Sequence, residues 1–145
     1  MKLEVLVVPV SDVDRAKAFY KSRGWREDID HMAGKGFRVV QFTPPGSEAS
    51  IIIGEGISDA KPGSSQGLQL VVTDIEATRN ELIGKGIDVG PIFHDKGGIF
   101  YRLGTEFQVI GPEPNRSDYG SFAKFKDPDG NGWMLQEVRQ RAPGR

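Results

Sequence analysis

The chain has 145 residues, with 19 Lys+Arg against 20 Asp+Glu for a net charge of −1, two histidines and no cysteine. It is long enough for one cored domain or two small fused modules. Its composition excludes a disulfide framework, a thiolate nucleophile, any Cys-ligated metal and a three-histidine site, and the balanced charge does not suit a nucleic-acid partner held by phosphate neutralisation.

The elements are predicted in chain order from periodicity and punctuation. An apolar strand runs up to Ser11. A helix follows with Val13, Ala16, Phe19 and Tyr20 on one stripe and stops at Gly24. Strands are expected at Trp25–His31, Gly36–Phe42 and Ala49–Gly54, the last after a Pro-Gly turn. The segment Asp59–Gly67, DAKPGSSQG, reads as a linker (59–66 by its boundaries) between a first module at 1–58 and a second at 67–138. The second module opens with a strand to Thr73 and a helix carrying Ile75, Thr78, Leu82 and Ile83, ended by Gly86. Strands are then expected at Ile87–Phe93, Ser121–Lys126 and Trp133–Val138, followed by a polar tail, 139–145. No apolar run approaches the roughly 20 residues of a membrane span. Strand-like sequence directly after Met1-Lys2 leaves no visible signal peptide, so a cytoplasmic protein without a membrane partner is expected.

The two halves repeat. Shifted by 62 residues, Val8-Pro9-Val10-Ser11-Asp12-Val13-Asp14 falls on Leu70-Val71-Val72-Thr73-Asp74-Ile75-Glu76, and Gly24 falls on Gly86. Near the module ends the shift becomes 84, which places an insertion of 22 residues at about 97–120 in the second copy. In each copy Ser11 or Asp12, and Thr73 or Asp74, can cap the helix that follows, with Asp14 and Glu76 suiting its dipole. Each module therefore reads β-α-β-β-β. The fold class is α+β: two tandem βαβββ modules forming a curved, largely antiparallel sheet around a cavity.

The segment from Val10 to Tyr20, VSDVDRAKAFY, together with Phe125-Lys126-Asp127-Pro128-Asp129-Gly130-Asn131-Gly132-Trp133, resembles the vicinal oxygen chelate superfamily of glyoxalases, extradiol dioxygenases and bleomycin-resistance proteins. The resemblance spans roughly residues 3–138. It implies a U-shaped sheet around a site that in most active members holds one divalent metal. The implied ligand positions, on the first and last strand of each module, fall on Val5, Ser50, Gly67 and Met134. None is an ordinary ligand for such an ion, and moving one residue along a strand turns the side chain to the other face. The expectation is a member without the shared metal site and without a cofactor.

Strand alternation then sorts the faces. Leu68, Leu70 and Val72 are expected toward the helix. Gly67, Gln69 and Val71, with Val5, Val7, Ser50, Met134 and Gln136, are expected on the cavity face, Gln69 and Gln136 supplying its polar handles. Tyr101 and Arg102, in the insertion, are expected to close over the mouth. His94-Asp95 has the ingredients of an oriented base but reads as a surface turn; His31 is similarly placed, and the face taken by Arg38 is open. Turn chemistry explains Asp127 and Asp129.

The expected function is metal-independent binding of a small organic molecule between the two modules. The alternatives are an enzyme of the same superfamily (lyase, isomerase or dioxygenase) and an interaction or scaffold domain whose cavity is filled by its own side chains. Exposed sheet edges make a homodimer the expected assembly.

Overall fold

The computed structural model describes residues 1–98 and 100–144; Ile99, in the expected insertion, and Arg145, in the expected tail, lie outside the described residues. The chain divides into two compact units, Met1–Gln66 with Lys126–Gly132, and Gly67–Phe125 with Trp133–Arg145. Among the described residues no helix is long and apolar enough to cross a membrane.

The first unit contains β1 (Val5–Val7), α1 (Val13–Lys21), β2 (Arg26–Met32), β3 (Arg38–Thr43) and β4 (Ser50–Glu55). The sheet order is β1-β4-β3-β2, with β1 parallel to β4 and the other neighbours antiparallel. The core lies between α1 and one sheet face. Tyr20 stands 5.2 Å from the Trp25 ring and 6.1 Å from that of Phe42, and Val40, Ile51 and Ile53 are buried beside them. Arg38 shares this face. Its guanidinium bonds Asp14 on α1 and Asp30 on β2, and Asp30 also receives Lys17.

The second unit contains β5 (Leu68–Val72), α2 (Ile75–Gly84), β6 (Phe93–Asp95), β7 (Gln108–Ile110), β8 (Phe122–Lys126) and β9 (Gly132–Glu137), in the order β5-β9-β8-β6-β7. The run β5-β9-β8-β6 repeats β1-β4-β3-β2, and the insertion adds β7 as a fifth strand. The expected strand over Ile87–Phe93 needs correction. Only Val89 bridges to Phe125 there, and the strand proper starts at Phe93. Pro91 offers no N–H to a ladder, and the Arg79 side chain takes the carbonyls of Val89 and Gly90.

Both helices begin as the repeat requires, and the acids do the capping. Asp12 and Asp74 have extended backbones and accept from the N–H groups of Arg15 and Ala77, each at 2.9 Å. Replacing either by alanine is expected to lower stability by about 0.5–2 kcal/mol through loss of the cap and of the favourable dipole contact. Urea denaturation measures this; ligand affinity should stay unchanged.

The motif Asp127–Asn131 is a joint within the first unit. Asp127 Oδ1 accepts from the N–H groups of Asp129 and Asn131, and Oδ2 accepts from Tyr20 Oη at 2.8 Å and Asn131 Nδ2 at 2.7 Å. Asn131 Nδ2 also reaches the Pro9 carbonyl, and its Oδ1 accepts from Ser65 N–H. The segment expected as a linker is thereby tied down. Gly63 also donates to the Pro9 carbonyl, and at φ +78° it lies so near the Asp129 carbonyl that a Cβ would sit 2.1 Å from that oxygen.

Candidate functional site

Strand register decides which side chains share a face. In the first unit Val5 lies beside Ser50, Val7 beside Ile52, and Ile52 beside Gln41, all on the face turned away from α1. Val7 is half-exposed, whereas Ser50 is buried and its hydroxyl lies 2.7 Å from that of Thr43. Thr43 in turn donates to Asp28, which also receives Arg26 Nε and, at 3.5 Å, Gln41 Nε2. The Thr43 and Arg26 donors hold the Asp28 carboxyl below its ordinary range, against the opposing effect of burial. His31 pairs with Val39 on this same face and is exposed.

In the second unit Gln69 pairs with Met134 and Val71 with Gln136, while Leu70 lies beside Leu135 and Val72 beside Glu137. Glu137 accepts from Ile75 N–H at the start of α2, which marks its side as the helix side. Gln69, Val71, Met134 and Gln136 therefore occupy the opposite face. Their surroundings differ. Gln69 and Val71 are exposed, as is Gly67 at φ +75°. Met134 is buried with Phe93 and Phe122, and Tyr101 packs on them with its ring 5.1 Å from that of Phe122. Gln136 is buried and donates to the Tyr119 carbonyl at 3.2 Å.

The insertion has its own polar centre. Arg102 grips Asp95 through Nε and Nη2 while its guanidinium lies 3.5 Å over the Phe107 ring. Arg102, helped by the Gly97 N–H, holds the Asp95 carboxyl well below the usual carboxylate range. A cavity of about 380 Å³ lies here, lined by Asp95, Gly97, Gly98, Phe100, Tyr101 and Arg102. The pair His94-Asp95 is not an oriented base, because Asp95 is committed to Arg102 and His94 Nδ1 contacts the Gly111 carbonyl at 2.9 Å. Arg38, whose face the sequence leaves open, lies on the helix side. It lines a second cavity of about 390 Å³ beside the start of α1.

The four positions that the resemblance assigns to metal ligands do not fit a divalent cation. Val5 and Gly67 have no donor side chain, the Ser50 hydroxyl is engaged by Thr43, and the Met134 thioether is packed in an aromatic cluster. Sequence reasoning missed Asp28, Gln41 and Thr43. Asp28 lies at a register shift in β2, between Glu27 opposite Phe42 and Ile29 opposite Gln41, which simple alternation does not reveal.

The repeated strand order agrees with the comparisons. The family model for the Glyoxalase/Bleomycin resistance protein/Dioxygenase superfamily matches residues 2–135, and the chain belongs to that superfamily. Among individual proteins, it is similar to TnmS3, described as an antibiotic binding protein from Streptomyces sp. CB03234, with 27% identity, a TM-score of 0.69 and coverage of 95% of this chain and 96% of that one. A glyoxalase/bleomycin resistance protein from the same organism is 28% identical, with a TM-score of 0.67 and coverage of 94% and 100%. The Bacillus subtilis (strain 168) protein YetH is 26% identical over 137 residues, 94% of this chain and 98% of that protein.

Proposed function

We propose that this protein binds and sequesters a small organic molecule on the sheet faces turned away from its helices, without a divalent metal. The observation that carries the reading is the chemistry of Val5, Ser50, Gly67 and Met134. A site that stabilised an enediolate or activated oxygen through a metal needs carboxylates or imidazoles there, and these positions supply apolar surface and one engaged hydroxyl. The similarity to a protein described as antibiotic-binding supports the same reading. Taken unit by unit, the residues proposed to meet a ligand are Val5 and Val7 on the face of the first unit, and Gln69 and Val71 on the face of the second. Met134 and Gln136 line the same face as packed support, as do Tyr101, behind the aromatic cluster, and Arg102, which orders the insertion. This is the usual composition of a small-molecule site, apolar with few polar groups.

A thermal-shift panel of antibiotics and other polycyclic aromatics, followed by calorimetric titration, tests the proposal. A true ligand at a hundredfold its Kd stabilises the folded state by about 2.7 kcal/mol. Gln69→Leu is expected to weaken binding by about 1–3 kcal/mol, because a ligand polar group loses its partner, while the melting temperature of the free protein stays unchanged. Elemental analysis of protein purified without chelator or nickel resin should find only substoichiometric metal. A tightly held stoichiometric ion, or turnover that depends on one, overturns the reading.

A further inference from the structure

Resting on the small-molecule reading, the first unit's sheet face also specifies a ligand chemistry. The bulge in β2 is the starting point. Glu27 points toward α1, where it meets Lys17 and Lys21. Asp28 and Ile29 then both lie on the opposite face, Asp28 against Thr43 and Gln41, Ile29 beside Gln41. Asp30 returns to the helix side with Arg38 and Lys17. Asp28 and Asp30 are two residues apart, yet they face opposite ways. Bulges commonly re-aim a side chain in this manner next to binding sites.

The two carboxylates have different partners. Asp30 is held by Arg38, whose side chain is only 15% exposed, and by Lys17. Asp28 is itself 16% exposed, and among the described residues its cationic partner is Arg26, on edge strand β2 with its side chain 75% exposed. An ion pair to a solvent-borne arginine contributes little and is easily exchanged. On this face Asp28 has Thr43 and Gln41 as polar neighbours, Ile29, half-exposed, follows it on β2, and Ile52, partly buried, lies beyond Gln41 on β4. Thr43, backed by Ser50, fixes one carboxylate oxygen, Oδ2, and leaves Oδ1 to the arginine. A largely buried carboxylate requires a counter-charge, and this one has an exchangeable counter-charge.

We infer that Asp28 is the recognition group for an organic cation, whose protonated nitrogen displaces Arg26 from Oδ1 while its apolar body lies against Ile29 and Ile52. Thr43 is a positioning residue that orients the carboxylate. The ligand class is an organic molecule with a protonated nitrogen and an apolar body.

Two fluorescent three-ring probes test this, proflavine as the cation and acridone as its neutral counterpart. The full chain is expected to bind proflavine about tenfold more tightly than acridone, the scale of one charge-assisted contact. Asp28→Asn should remove that preference by weakening proflavine alone. Arg26→Ala should tighten proflavine several-fold, because the competing guanidinium is gone, and leave acridone unchanged. Circular dichroism checks that each variant is folded. Thr43→Val, which leaves the charge in place, should weaken proflavine less than Asp28→Asn. Equal proflavine affinity in wild type and Asp28→Asn overturns the inference. Binding of acridone with no cation preference overturns it while sustaining the small-molecule reading, and binding of neither probe overturns the inference alone, the small-molecule reading being tested by the thermal-shift panel.

Discussion

Asp127→Ala is expected to destabilise the first unit by about 3–5 kcal/mol, a large share of the 5–15 kcal/mol that holds a typical domain folded. The carboxylate is 5% exposed and accepts from four donors: two backbone N–H groups, the Tyr20 hydroxyl and the Asn131 amide. Tyr20 and Asn131 are themselves fully buried. Alanine would remove the acceptor these four donors share, and each buried group left unsatisfied costs about 1–3 kcal/mol, reduced where water or another acceptor reaches it. Tyr20→Phe should cost less, because Asp127 keeps three donors and the ring stays packed against Trp25 and Phe42. Urea denaturation followed by Trp25 fluorescence in a Trp133→Phe background reads this unit. A loss below about 1 kcal/mol for Asp127→Ala would show that the network is not cooperative.

This result bears on why the motif is so recognisable. Asp127, Asn131 and the intervening turn satisfy each other and fix Pro9 and Ser65, so the residues that carry the family resemblance are structural. Their presence identifies the fold without identifying the chemistry. On the proposed reading, ligand recognition falls to strand positions outside this network, Val5 and Val7 among them.

The parts legible in the sequence were those governed by local rules. The helix starts at Asp12 and Asp74 follow from capping chemistry, and the separation of Gln69 and Val71 from Leu68, Leu70 and Val72 follows from a period of two. What alternation could not reach is where the period breaks. Asp28 sits at a bulge with no glycine to announce it. The strand expected at Ile87–Phe93 is cut down at Pro91, with Arg79 taking two of its carbonyls. Long-range pairing was equally invisible. Arg102 has the composition of a lid cation over a ligand, and only the fold shows its guanidinium already committed to Asp95. The extra strand β7 could have been read from Gln108-Val109-Ile110, a short β-branched run inside the insertion.

Glu137→Ala is expected to cost the second unit about 3–5 kcal/mol, the penalty for removing one partner of a buried ion pair. Glu137 is 1% exposed. It receives Arg116 through Nε at 2.9 Å and Nη2 at 2.6 Å, and the Ile75 N–H at 3.0 Å. It therefore performs two tasks, occupying the start of α2 and anchoring the insertion through Arg116, which also reaches Glu76 at 2.7 Å. Arg116 adopts φ 52°, a left-handed conformation that disfavours a residue with a Cβ, and the two carboxylates hold it there. The same geometry sets a pH dependence. Burial alone would raise the Glu137 pKa, but Arg116 and the Ile75 N–H outweigh it, so the folded-state value lies below the ordinary one. The unfolded chain titrates near a glutamate's usual value of about 4.3. The stabilisation is therefore complete above that pH and is lost as pH falls from there through the folded-state pKa. Glu137→Gln, which preserves shape and removes the charge, should lower stability at pH 7 and flatten this acid limb, whereas a surface control such as Glu81→Gln should leave the limb intact. Melting curves from pH 7 down to pH 3 distinguish the two. If Glu137→Gln keeps the wild-type acid slope, the buried pair with Arg116 is not what links this unit's stability to pH.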